Sequence, residues 1–231
     1  MKVWPHSTST STGTRMHIKA VIFDWDGTIV DSIEHIATSL HLAATELGFP
    51  ALEKAAYRNI IGLGMVDALK ALYPGLNDTD IEAIRQSYSR YFFAKEATPQ
   101  QIFTGMTEVL DMLRTEGRGR AVATGKSRRG LDAALASSGL LPNFDITRCA
   151  DETRSKPDPA MLLEILAFYD LAPEQALMIG DTTYDMEMAQ RIGMPAIGVR
   201  WGVHDHERLS QFGPVAIVDT VPELQRVLRT L

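Results

Sequence analysis

Apolar positions along this chain follow two periods, and the switch between them marks the architecture. Ile18 to Phe23 is a short apolar, β-branched run that stops abruptly at an acidic turn, Asp24-Trp25-Asp26-Gly27-Thr28. Such a run predicts a buried parallel strand whose carboxyl end carries polar chemistry. Similar runs lie at Ala121 to Ala123, Ala176 to Ile179 and Ala196 to Val199, with a weaker one at Val215 to Val218. Amphipathic helical patterns separate them. Strands alternating with helices predict an α/β fold, a parallel sheet covered on both faces. In such sheets ligands sit beyond the carboxyl ends of the strands.

From about Ser32 to Thr98 the alternation stops and only helical periodicity remains. Ile33, Ile36, Ala37, Leu40, Ala44 and Leu47 form one apolar stripe. Asp31 is placed to cap that helix with Glu34 as its capping-box partner, and Gly48 to end it. Further helices are expected over Leu52 to Ile60, Met65 to Leu72 and Thr79 to Phe93, punctuated by Pro74-Gly75 and Asn77-Asp78. An all-helical block here is a second small domain, with Pro99 marking the return to the sheet. The expected division is a disordered extension over 1–16, an α/β core over 17–31 and 99–231, and the helical domain over 32–98.

Composition narrows the function classes. The chain has 231 residues, enough to bury a core without disulfides. Lys plus Arg number 23 against 29 Asp plus Glu, a formal charge of −6 that argues against a broad nucleic-acid surface. No apolar run approaches the ~20 residues of a membrane helix. Residues 1–15 carry no apolar stretch of the kind a secretory signal needs. The single cysteine, Cys149, excludes an intrachain disulfide and reads as a small buried residue. A reducing cytoplasm is the expected location. His204 and His206 lie close together, but two histidines alone do not make a metal site.

Four polar clusters each follow a predicted strand or lead into a helix. Asp24 and Asp26, two apart on an extended strand end, face one pocket, and Gly27 permits a tight turn. Paired carboxylates can act as nucleophile and general acid, although Asp and Gly also populate ordinary turns. Thr124-Gly125-Lys126-Ser127 offers a hydroxyl and free backbone N–H groups to a phosphate, and equally reads as a helix cap. Lys156, between Ser155 and Pro157-Asp158-Pro159, is either a fixed cation or a solvated lysine, with Asp158 and Pro159 as a cap and first helical residue. Asp181 and Asp185, in Gly180-Asp181-Thr182-Thr183-Tyr184-Asp185, suit an oxygen-ligated Mg²⁺, and Asp185 also suits helix capping. All four would converge on one edge of one sheet.

In this order, FDWDGTIVDS, VATGKS, SKPDP and IGDTTYDM resemble the four motifs of the haloacid dehalogenase superfamily. The likeness runs from Ile18 to near the C-terminus and is greatest to phosphoglycolate phosphatase-like members with a helical cap inserted after motif one. The tail, Gly198 to Gly202 and Pro222 to Leu224, is similar to that group too. One departure is Thr104-Gly105-Met106, where relatives often have proline before the glycine. The resemblance implies a Rossmann-like three-layer core with a central parallel sheet and a small all-α cap. It implies Asp24 as nucleophile, Asp26 as acid and base, and Thr124 and Lys156 as holders of the phosphoryl oxygens. Trp25, Gly27 and Gly125 would add phosphate contacts. Mg²⁺ would be held by Asp24, the Asp26 carbonyl, Asp181 and Asp185. Arg58, Asn59, Gly62 and Lys70 are the cap candidates for reading the substrate. The implied partner is a small phosphorylated metabolite, phosphoglycolate first, with monomer or homodimer left open. A sugar phosphomutase keeps both aspartates and is the alternative. A non-enzymatic phospho-acceptor domain lacks the helical insert. A dehalogenase needs no leaving-group acid, so Asp26 argues against it.

Overall fold

A computed structural model describes residues 17–94 and 101–231. The expected extension over 1–16 and the expected return at Pro99 lie outside the described residues. The chain enters through β1 (Ala20–Phe23) and a short β2 (Val30–Asp31), then forms helices α1 (Ile33–Glu46), α2 (Lys54–Asn59), α3 (Met65–Leu72) and α4 (Asp78–Ala94). It returns through β3 (Gln101–Ile102), which pairs antiparallel with β2. Then follow α5 (Met106–Thr115), β4 (Gly119–Thr124), α6 (Arg128–Ser138), β5 (Ile146–Cys149) and α7 (Ala160–Tyr169). The chain closes with β6 (Ala176–Gly180), α8 (Thr183–Gln190), β7 (Ala196–Val199), α9 (His206–Ser210), β8 (Ala216–Val218) and α10 (Val221–Leu228).

Six parallel strands form one sheet in the order β5-β4-β1-β6-β7-β8. β1 sits between β4 and β6, and Phe23 aligns with Val122 on one side and Ile179 on the other. The connections leave β1 in opposite directions, so its carboxyl end is a topological switch point, where a crevice opens. Alternation along β1 builds the layers. Val21 and Phe23 join a core with α5, α6 and α10, while Ala20 and Ile22 join one with α7, α8 and α9. The third apolar cluster lies wholly in the helical block, apart from partly buried Val203 packed against it. Among the described residues no helix is long and apolar enough to cross a membrane.

Several expectations shift. β5 escaped the sequence because its edge position leaves Ile146 to Arg148 only half-buried, so its side chains are mixed rather than apolar. Asp31 does not cap α1: it lies in β2 opposite Gln101 and is exposed. Ser32 takes the N-cap position without a capping bond, and Glu34 pairs instead with Lys54 and Arg58. Leu47 leaves the stripe and is 40 % exposed, because α1 ends before it. The second cap helix starts at Lys54 rather than Leu52. Pro159 stands at the N-cap of α7 rather than inside it, and the Asp158 carboxylate accepts from the Ala160 N–H at 3.0 Å.

Separate clusters in cap and core imply separate local stabilities. Ile84 in α4 is fully buried in the cap cluster. Truncation to alanine should remove about 2–5 kcal/mol from that cluster. In Ile84→Ala, amides of α1, α3 and α4 should exchange with deuterium faster, while those of β1, β4 and β6 keep their protection. Equal loss in cap and sheet would refute separate clusters.

Candidate active site

The alignment of β1, β4 and β6 places Asp24, Thr124 and Asp181 at neighbouring strand ends. All three are at most 1 % exposed. Lys156 arrives from the loop before α7, also 1 % exposed, and its Nζ donates to Asp24 Oδ1 and to Asp185 Oδ1, both at 2.6 Å. Asp185 opens α8 in a capping box with Thr182. Its Oδ2 accepts from the Thr182 hydroxyl at 2.7 Å and from the Thr182 N–H at 3.1 Å. The capping role and the site role are therefore held by one side chain, with one oxygen for each. Asp181 Oδ1 accepts from Thr28 Oγ1 at 3.1 Å, and its Oδ2 from the Val203 N–H at 2.8 Å.

Charge is unbalanced here. Asp24, Asp181 and Asp185 each present a carboxylate oxygen within 4.8 Å of the others, with Lys156 as the cation bonded to two of them. Burial pushes the Asp24 carboxyl up to about 7, against the pull of Lys156 and with a push from Asp185. Burial, then the Asp24 and Asp185 charges, hold Asp181 well above the carboxylate range. Burial opposes the Lys156 ammonium, but Asp185 and Asp24 together hold it above an ordinary lysine. Asp24 Oδ2 is buried without a hydrogen-bond partner. Three buried carboxylates this close, with one ammonium between them, fit a hard divalent cation such as Mg²⁺, which takes oxygen ligands and offsets like charge. The Asp26 side chain is outside this group. Its Oδ1 accepts from Ser32 Oγ at 2.6 Å and lies 3.0 Å from Lys126 Nζ.

Glycines let backbone and carboxylates crowd together. Gly27 has φ +82°, and a Cβ there would overlap Asp181 Oδ2. A Cβ on Gly125 would overlap the carbonyl oxygens of Gly62 and Leu63, so the cap loop lies directly on the second motif. Thr124 Oγ1 accepts from the Lys126 N–H at 3.2 Å. Trp25 is fully buried, edge-on to Phe144 in the core, consistent with a packing side chain.

A cavity of about 130 Å³ lies between cap and core, lined by Asp24, Asp26, Thr124, Gly125 and Lys126 on one side and by Gly62 and α4 on the other. Gly62 thus reaches it, but Arg58 and Lys70 are not among its described lining residues. Arg58 turns to Glu34, and Lys70 is exposed on α3. Asn59 docks the cap instead. Its carbonyl accepts from Tyr184 Oη at 2.9 Å, and its Oδ1 from Arg208 Nη1 at 2.5 Å, with His204 Nε2 at 3.2 Å. His204 Nδ1 accepts from the Thr183 N–H, which leaves the proton on Nε2 for Asn59. Burial, then Arg208, pushes this imidazole down to about 4, and it serves structure rather than a metal. Sequence reasoning missed Ser32, Lys126 and the loop after β7 as parts of the site. Lys126 had a signal, its place inside the second motif. Val203 had none.

The haloacid dehalogenase-like hydrolase family model matches residues 21–199. The chain belongs to that family. A probable phosphatase IndB of Dickeya dadantii is 35 % identical over 88 % of this chain and 90 % of its own. An N-acetylmuramic acid 6-phosphate phosphatase of Pseudomonas aeruginosa is 28 % identical over 93 % and 96 %. A phosphoglycolate phosphatase of Rhodospirillum rubrum is 30 % identical over 89 % of each chain. A hydrolase from Pseudomonas syringae shares the fold, with a TM-score of 0.84 and 23 % identity over 92 % of this chain and 98 % of that one. As a haloacid dehalogenase-like hydrolase with phosphatase relatives, the protein is a phosphoric monoester hydrolase.

The raised Asp24 carboxyl sets a pH dependence. A carboxyl whose folded pKa exceeds its unfolded value binds more protons when folded, so its contribution is full at low pH. That contribution is lost as pH rises from about 4 through about 7. In chelator, Asp24→Asn should raise stability by on the order of 1 kcal/mol at pH 8. The gain should shrink towards pH 4. Urea titrations at the two pH values check this, and a gain that is larger at pH 4 would refute it.

Proposed function

We propose that the protein is a Mg²⁺-dependent phosphatase of a small phosphorylated metabolite, working through an aspartyl-phosphate on Asp24. The observation that carries the reading is the state of the Asp24 carboxylate. Lys156 fixes Oδ1, while Oδ2 is buried, without a partner, and aimed at no internal donor. A nucleophile needs such a free, oriented oxygen.

Asp24 Oδ2 would attack phosphorus as the bond from phosphorus to the leaving oxygen breaks. Asp26, two residues on and lining the same cavity, would give the leaving alcohol its proton. It would then take a proton from the water that attacks phosphorus and frees Asp24. Lys156 and the Thr124 hydroxyl would hold phosphoryl oxygens, with backbone N–H groups of Trp25 and Gly125 as further donors, whereas the Gly27 N–H, expected to join them, is given to the Val30 carbonyl at 2.9 Å and serves the turn. Asp24, Asp181 and the Asp26 carbonyl would hold Mg²⁺, with Asp185 supporting it and orienting Lys156. The ion would supply positive charge to offset the carboxylates and the phosphoryl oxygens. The cap would exclude water from the first step, and its contacts with three motif loops support that task.

With Mg²⁺, the protein should release phosphate from a generic phosphomonoester, and chelator should abolish the release. Asp24→Asn should lower kcat by on the order of 10³-fold or more. Acid quench of wild type during turnover should trap an acyl phosphate that hydroxylamine cleaves. Full activity in Asp24→Asn would refute the assignment.

A further inference from the structure

The cavity between cap and core has a chemical character that the phosphate site alone does not specify. Its core side is polar and belongs to the reacting groups. Its cap side is not: apart from Arg85 and Ser89, every described cap side chain lining it is aliphatic or aromatic. Ile36, Leu40 and Met65 supply aliphatic surface, and Tyr88, Phe92 and Phe93 supply aromatic surface.

The lining also fails to provide for an anionic leaving group. Its described cations are Lys126 and Arg85, and both are engaged. Lys126 Nζ pairs with Asp26 at 3.0 Å and lies 5.0 Å over the Phe92 ring centroid. Arg85 donates two parallel bonds at 2.8 Å to both oxygens of Glu82. A carboxylate brought in by the substrate would face Asp26 against an apolar wall, with both lining cations already paired. Desolvating an unpaired carboxylate is strongly unfavourable.

We propose that the substrate's alcohol carries one five- or six-membered ring with an apolar face, and that phosphoglycolate is a poor substrate. This rests on the phosphatase reading above and names the substrate class of the same site. Aromatic faces favour a planar or chair-like body over a two-carbon chain.

The test uses the full chain with Mg²⁺ and three alkyl phosphates: benzyl phosphate, ethyl phosphate and phosphoglycolate. Burying one ring should raise kcat/KM for benzyl phosphate about 10-fold or more over ethyl phosphate, chiefly through KM. Phosphoglycolate should fall at or below ethyl phosphate. Phe92→Leu keeps bulk and removes an aromatic face, and should narrow the benzyl-to-ethyl ratio by about 2–10-fold. Phosphoglycolate matching or exceeding benzyl phosphate, or equal turnover of benzyl and ethyl esters, overturns the proposal and leaves the phosphatase reading standing. Absence of turnover with all three esters overturns the phosphatase reading itself, and this proposal with it.

Discussion

One buried ammonium organises the centre of this protein. Lys156 is bonded to Asp24 and Asp185 at the same distance, and none of the three is appreciably exposed. Three buried carboxylates cannot share a pocket without opposing charge, because burial and mutual repulsion both penalise ionisation. The lysine offsets part of that cost and fixes which oxygen of each acid is committed. What it leaves over is one bare oxygen on Asp24 and an excess of negative potential. Those two residuals are what a reactive nucleophile and a divalent cation each require. The neighbouring glycines follow from the same crowding, since Gly27, Gly180 and Gly202 all stand where a side chain would strike Asp181 or Asp185.

The cap depends on the core in a second, polar way. Its own apolar cluster is nearly closed on itself, so burial of hydrophobic surface does little to attach it. Attachment comes from directed bonds: Gly64 N–H to Ser155 Oγ at 2.7 Å, Tyr184 and Arg208 to Asn59, and the close pass of Gly62 and Leu63 over Gly125. These contacts touch the second, third and fourth motif loops. The β2–β3 ribbon joins cap to core at one end, and Ser32 beside it bonds Asp26. A ribbon and a few hydrogen bonds thus hold the cap to the core.

The core strands and the cap helices were legible because each carries a strong period and a clear stop. β1, β6 and β7 read as apolar runs ending in polar turns, and α1 as a stripe. β5 was not legible because an edge strand with half-solvated faces has no distinctive pattern. β2 and β3 pair over two residues each, too short for any periodicity. The same division holds at the site. Asp24, Asp26, Thr124, Asp181 and Asp185 could be singled out because each follows a strand end or opens a helix, and Lys156 because it lies between a serine and two prolines on the loop into α7. Val203 as donor to Asp181 could not, since nothing local distinguishes a valine N–H, and Lys126, although inside the second motif, gave no sign that its partner would be Asp26.

Sequence alone determined the α/β order, the helical insert and the residues whose types could do phosphoryl chemistry. These are local properties: period 2 or 3.6, a glycine at a turn, an acid after an apolar run. Only the tertiary structure decided which oxygen of Asp24 is free, that Asn59 docks the cap while Arg58 and Lys70 face elsewhere, and that the cavity beside Asp24 is walled by Tyr88, Phe92 and Phe93. Those facts depend on distances between segments far apart in the chain. Charge compensation and cavity shape are sums over such neighbours, and no single stretch of residues carries them.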